Sequence, residues 1–96
     1  MLVDARGGVL HHITFNGEPD RLVLPWHEIV RSIVACPCRG VILLHSHPSA
    51  DAAPSAADIR VTRRLALMLS PLDVKLCDHL IVAERTHFSF REAGLV

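Results

Sequence analysis

The chain of 96 residues carries no net charge: ten Lys and Arg balance ten Asp and Glu, with the seven histidines counted neutral. A zero balance removes any general electrostatic pull toward nucleic acid or an anionic membrane. Tyrosine is absent, and the aromatics are Trp26, Phe15, Phe88 and Phe90, so bases of a single strand find no aromatic platform. No apolar run reaches the roughly eighteen residues that a membrane-spanning helix needs. Met1-Leu2-Val3-Asp4 lacks the basic region and apolar run of a secretory signal. The cysteines Cys36, Cys38 and Cys77 are odd in number, and two of them sit two apart. They do not make the even, spaced framework of a small secreted domain, so the expectation is free thiols in a reducing, cytoplasmic setting. Internal repeats, low-complexity segments and linkers are missing too. What is present is half apolar and 21% charged, too hydrophobic for disorder and enough for one domain.

The pattern of breakers and apolar positions divides the chain into elements. Val9 to Thr14 reads as a strand, Phe15 to Asp20 as a turn around Asn16-Gly17 and Pro19, and Leu22-Val23-Leu24 as a short strand stopped by Pro25. Trp26, Ile29, Val30, Ile33 and Val34 recur at helical spacing up to about Cys36, where Pro37 and Gly40 intervene. Val41-Ile42-Leu43-Leu44 is a continuous apolar strand running into His45-Ser46-His47-Pro48. Ser49 to Pro54 is a loop. A second helix opens at Ser55 and reaches about Leu69, with Ile59, Thr62, Leu65, Ala66 and Leu69 facing inward. Strands follow at Val74 to Leu76, His79 to Ala83 and Phe88 to Phe90. Strands alternating with two helices predict a mixed sheet with helices packed on it.

The chemistry concentrates between His45 and Asp58. Side chains on a strand alternate with period two, so His45 and His47 project to the same side of a strand tip. Asp58 falls in the first turn of the following helix, which the loop folds back toward that tip. Two imidazoles and a carboxylate make three zinc ligands and leave a fourth position open, as in catalytic sites. Each half also has a plain structural explanation. A His-x-His pair alone often just ends a strand, and Ser55-x-x-Asp58 before an apolar run is a capping box.

The order His45-x-His47, seven residues, Ser55, two residues, Asp58 resembles the JAMM (MPN+) metalloprotease signature. The stretches His45-Ser46-His47-Pro48-Ser49, Pro54 to Ile59, Thr62-Arg63-Arg64-Leu65, Asp78 to Val82, Ser89-Phe90-Arg91-Glu92 and Gly94 are similar to the RadC-like branch of that superfamily. The resemblance covers nearly all of the chain. It implies a single small domain over residues 1–96 with the JAB/MPN fold, a cytidine-deaminase-like mixed β-sheet flanked by helices. It implies zinc on His45, His47 and Asp58, with Ser55 helping to stabilise the oxyanion formed when an amide or isopeptide bond is hydrolysed. Bound zinc lowers the pKa of water and polarises a carbonyl, which is the chemistry such a site supplies.

Two departures qualify what the resemblance implies. Ala50 stands where glycine is frequent, so a left-handed backbone there would be strained. The general-base glutamate of the pattern lies on the first strand, ahead of Leu2-Val3-Asp4 and therefore ahead of Met1. Glu18, in the turn, and Glu28, on the outer side of the first helix, are the nearest substitutes in sequence, and neither position promises reach to the site. The chain is thus expected to keep the metal site and to be catalytically weak or inactive as it stands. The alternative is an inactive JAB-fold binding module in the DNA-repair context that the RadC name carries. A shortened first strand would also leave an open sheet edge through which two copies could pair. A rival zinc site on Cys36, Cys38, His45 and His47 fits poorly, because one residue between the cysteines is fewer than structural sites use. Arg60, Arg63 and Arg64 read as a solvated helix face, His11, His12, His27 and His87 as surface residues, and His79 as a buried, hydrogen-bonded brace.

Overall fold

The computed structural model describes residues 1–15 and 23–96. Along the chain come β1 (Leu2–Val3), β2 (Val9–His11), α1 (Trp26–Ala35), β3 (Gly40–Ser46), α2 (Ala56–Leu69), a 3-10 turn at Ser70–Leu72, β4 (Lys75–Val82) and β5 (His87–Ser89). The strands form one mixed sheet in the order β2-β1-β3-β4-β5. β3 and β4 are parallel, and the remaining neighbours are antiparallel. The connections β2–α1–β3 and β3–α2–β4 both join parallel strands and step the same way across the sheet. Right-handed crossovers then put both helices on one face. The core agrees: Ile29 and Ile33 of α1 pack with Leu65 and Leu69 of α2 over Val41, Leu43 and Leu76 of the sheet. The other face carries the exposed Leu44 and Val82.

The helices stop and start for local reasons. Pro37 disfavours helical dihedrals at Cys36, which is extended (φ −136°, ψ 156°), so α1 ends at Ala35. Ser55 caps α2 by accepting from the Asp58 N–H at 3.0 Å, while the Asp58 carboxylate accepts from the Ser55 N–H at 2.9 Å. The capping box read in the sequence is therefore formed. On α1 the inward stripe is narrower than the spacing predicts. Ile29 and Ile33 are buried, but Val34 is 71% exposed, because one layer of sheet covers only one side of the helix.

Three differences from the sequence reading concern the sheet. The strand expected over Val9 to Thr14 ends at His11, and Val23 and Leu24 are not in a strand. Leu22 and the turn residues 16–20 lie outside the described residues. Leu2–Val3 forms a strand held between β2 and β3 rather than at an edge, because Asp4 and Gly8 turn the chain back into β2. In that turn Asp4 Oδ1 accepts from the Arg6 and Gly8 N–H groups, and Gly7 takes φ +83°. β1 is short, however. Met1 and Ile42 exchange hydrogen bonds of 2.7 and 2.8 Å, and beyond Ile42 no described strand lies on that side of β3.

The third difference is that Val74 to Leu76 and His79 to Ala83 belong to one strand, β4. Val41 pairs with Leu76 and Ile42 with Asp78, so Cys77 is an extra, bulged residue. A one-residue insertion reverses the phase of everything after it. Leu76, His79 and Ile81 all become buried, whereas strict alternation from Leu76 would have turned His79 outward. Gly40 makes room for the bulge, since a Cβ there would lie 2.5 Å from Cys77 Sγ.

Candidate metal centre

The tip of β3 presents His45 and His47 on the helix side of the sheet. Their rings meet edge to face with centroids 4.7 Å apart. The His47 N–H donates to the Val82 carbonyl at 2.9 Å, extending the alignment with β4 by one residue. The loop from Pro48 to Pro54 is tied down by its own hydrogen bonds. Ser49 Oγ donates to the Asp51 carbonyl, and the Ala53 N–H donates to Asp51 Oδ1. Ala52 is buried with Ile81, Ala83 and Phe90. This loop delivers Asp58, 2% exposed, to the two imidazoles.

His45, His47 and Asp58 each offer one ligand atom, and all three atoms lie within 4.8 Å of one another. The hydrogen-bonding pattern fixes which nitrogen of His47 is bare. His47 Nδ1 sits 3.2 Å from the Asp51 carbonyl, an acceptor only, so Nδ1 carries the proton and donates. In the neutral ring Nε2 is then a bare lone pair, yet it faces Asp58 Oδ2 at 3.2 Å. His45 Nδ1 is buried without a partner, 3.7 Å from Asp58 Oδ1. Two such facing acceptors repel unless a proton or a metal cation sits between them. A carbonyl holding the far nitrogen of His47 is the usual support for a metal-ligating histidine.

The electrostatics favour the ligand protonation states. Burial pushes the Asp58 carboxyl up, but the Ser55 N–H and hydroxyl, with His45 and His47, outweigh it and hold it below the ordinary carboxylate value. Burial lowers His45, Asp58 opposes, and the neighbouring His47 lowers it further, for a net decrease. A carboxylate and a neutral imidazole are what a divalent cation requires. The capping box and the ligand set are one structure here. The hydrogen bond from Ser55 that starts α2 also orients the carboxylate.

Behind the candidate ligands lies a polar chain that the sequence revealed only in part. Thr62 Oγ1 is 2.7 Å from both the Asp58 carbonyl and His79 Nδ1. His79 stacks on Phe90 with ring centroids 4.4 Å apart. Burial, then the nearby His45, push His79 down to about 4, with Asp58 and Asp78 opposing, so it is neutral. Asp78 anchors the C-terminal turn, accepting from the His79 and Arg91 N–H groups and from Ser89 Oγ at 2.7–3.0 Å. His79 was legible as a buried brace. Its partner Thr62 was legible only as an inward position.

Other candidates are not brought to the site. Cys38 is buried in the main core with Cys36 packed against it, and neither cysteine joins the described metal-ligating group. Glu28 is exposed on α1, and Glu18 lies outside the described residues. His11, His12, His27 and His87 are exposed, as are Arg60, Arg63 and Arg64. Among the described non-glycine residues only Asp73 has positive φ, so Ala50 is accommodated without left-handed strain. No described helix is long and apolar enough to cross a membrane.

A small mixed α/β domain with a His-x-His strand tip set against a capped helix is consistent with the JAB/MPN arrangement. The family model for the RadC-like JAB domain matches residues 1–95, and the chain belongs to that family. It is 38% identical over 88 residues to the UPF0758 protein YkfG of Escherichia coli, covering 92% of this chain and 56% of that one. It is 44% identical over 87 residues to the UPF0758 protein Smlt0399 of Stenotrophomonas maltophilia (91% and 36%) and 36% identical over 97 residues to Shew185_0376 of Shewanella baltica (100% and 43%). The chain thus spans roughly a third to just over half of the length of these relatives.

Proposed function

We propose that this domain is a metal-dependent hydrolase of the JAMM type, holding zinc on His45, His47 and Asp58 to cleave an amide or isopeptide bond. The carrying observation is that the buried, unpartnered His45 Nδ1 and the bare His47 Nε2 both face the Asp58 carboxylate. Two imidazoles and a carboxylate suit zinc, and three protein ligands leave a place for water or substrate. Zinc in such a place would supply Lewis-acid polarisation of a carbonyl and a water acidic near neutral pH.

The remaining work falls to the chain. Ser55 Oγ accepts from the Asp58 N–H, and its hydroxyl hydrogen, which also stabilises the Asp58 carboxylate, is free to rotate toward a substrate oxygen. It is exposed beside the triad and suits a substrate oxygen gaining negative charge. A general base is the missing part, for no second carboxylate joins the cluster among the described residues. β1 runs antiparallel to β3 with Leu2 opposite Val41. Residues ahead of Met1 in a longer protein, kept in that register, would run along β3 toward His45. A base carried on a segment before β1 would thus stand near the site, and the described residues by themselves are assigned to metal binding.

That same gap favours a second reading, a JAB-fold module that binds without cutting. Assaying the zinc-loaded chain on peptide and isopeptide substrates separates the two. Slow, zinc-dependent cleavage that Ser55→Ala lowers about a hundredfold supports the enzyme. Binding with no zinc-dependent cleavage supports the module. Three thiols free of disulfides support the cytoplasmic setting as part of this proposal. The uncovered length of β3 beyond Ile42 is where pairing of two copies would occur, which sedimentation would detect.

A further inference from the structure

Ala57, Arg60, Val61 and Arg64 form a stripe along α2 at helical spacing, beside the stripe that carries Asp58 and Thr62. With Val23, Leu24 and Trp26 at the start of α1, this stripe lines a groove of about 440 Å³. That volume lies within the range of small-ligand sites. The groove begins at Ala57, the chain neighbour of Asp58. Its described lining is apolar apart from Arg60 and Arg64. Arg64 lies across the Trp26 ring, 5.3 Å from the centroid. A guanidinium held over an indole face by cation–π attraction keeps N–H donors with which to pair a carboxylate.

We propose that this groove is a subsite for an acidic polypeptide segment, with a substrate carboxylate seated between Arg60 and Arg64 beside the metal centre. The substrate role rests on the hydrolase reading. The binding of acidic peptide does not. Charge complementarity selects the occupant, because among the described residues the walls supply two cations and no acidic side chain. Nucleic acid is the poorer match. Its affinity grows with the number of phosphates neutralised, whereas this site offers two cations around an apolar hollow in a neutral chain.

Trp26 is the only tryptophan, so its fluorescence reports directly on the groove. The chain is titrated with acetyl-Gly-Gly-Glu-Glu-Gly-Gly-amide and with the matched peptide carrying glutamine for glutamate. The expected result is about tenfold tighter binding of the glutamate peptide, with a shift in Trp26 emission. Arg60→Gln with Arg64→Gln removes the preference, and the exposed Arg63→Gln keeps it. Equal binding of the two peptides overturns the proposal, as does a preference that survives the double substitution. Tighter binding of a single-stranded oligonucleotide at the same salt also overturns it. Zinc content is measured on the same samples. Bound zinc without peptide preference defeats the subsite alone, and peptide preference without zinc defeats the hydrolase reading alone. A melting curve for the double variant establishes that lost preference is not lost folding.

Discussion

The two halves of α2 meet opposite surroundings on the same sheet. Its C-terminal half sets Leu65 and Leu69 into a dry cluster with Ile29, Ile33, Val41 and Leu43. Its N-terminal half sets Asp58 and Thr62 against His45, His47 and His79, all polar and all half-buried or buried. Apolar burial stabilises the first half with no further requirement. Burying the second half is costly unless every polar atom is paired, and His45 Nδ1 and His79 Nε2 are not. The contrast assigns stability to one end of the helix and the candidate metal site to the other.

The sharpest way to break this comparison is Leu65→Ala. Leu65 is 1% exposed, and a cavity there should cost about 3 kcal/mol of folding stability while leaving metal affinity per folded molecule unchanged. Denaturant melts with metal titration check both halves of the statement. An equal loss of metal affinity would mean that the two ends of α2 are not separable.

A pH titration of the metal-free protein tests the polar half. His79 has an ordinary pKa of 6.5 and about 4 in the folded state. Between those values the unfolded chain binds a proton that the folded one excludes. Stability is therefore full above about pH 6.5 and falls as the pH drops toward 4, by at most about 3 kcal/mol. His79→Gln should flatten that slope in denaturant melts taken at several pH values. A slope unchanged by the substitution would place the titrating group elsewhere.

How much of this the sequence disclosed depends on the range of the interaction. The His-x-His pair, the capping box and the end of α1 at Pro37 are local, and each appears where its residues predict. The β1–β2 hairpin was missed although Asp4-Ala5-Arg6-Gly7-Gly8 carries the turn chemistry, because a two-residue strand has too little hydrophobic pattern to register. The single strand β4 was missed because the bulge at Cys77 breaks alternation. Only its neighbour β3 and the space at Gly40 explain why the chain stays in register. Thr62 and His79 are seventeen residues apart, and nothing in local spacing links them. Val34 shows the reverse error, an apolar residue at the right period that the single-layer packing leaves in water.

The central claim is that β3 and the start of α2 close around one divalent cation. Elemental analysis of the purified chain, equilibrated with zinc and freed of excess, beside Asp58→Ala tests it most directly. The account predicts one zinc per chain in the first and none in the second. No zinc in the unaltered chain, or the same amount in both, would contradict it.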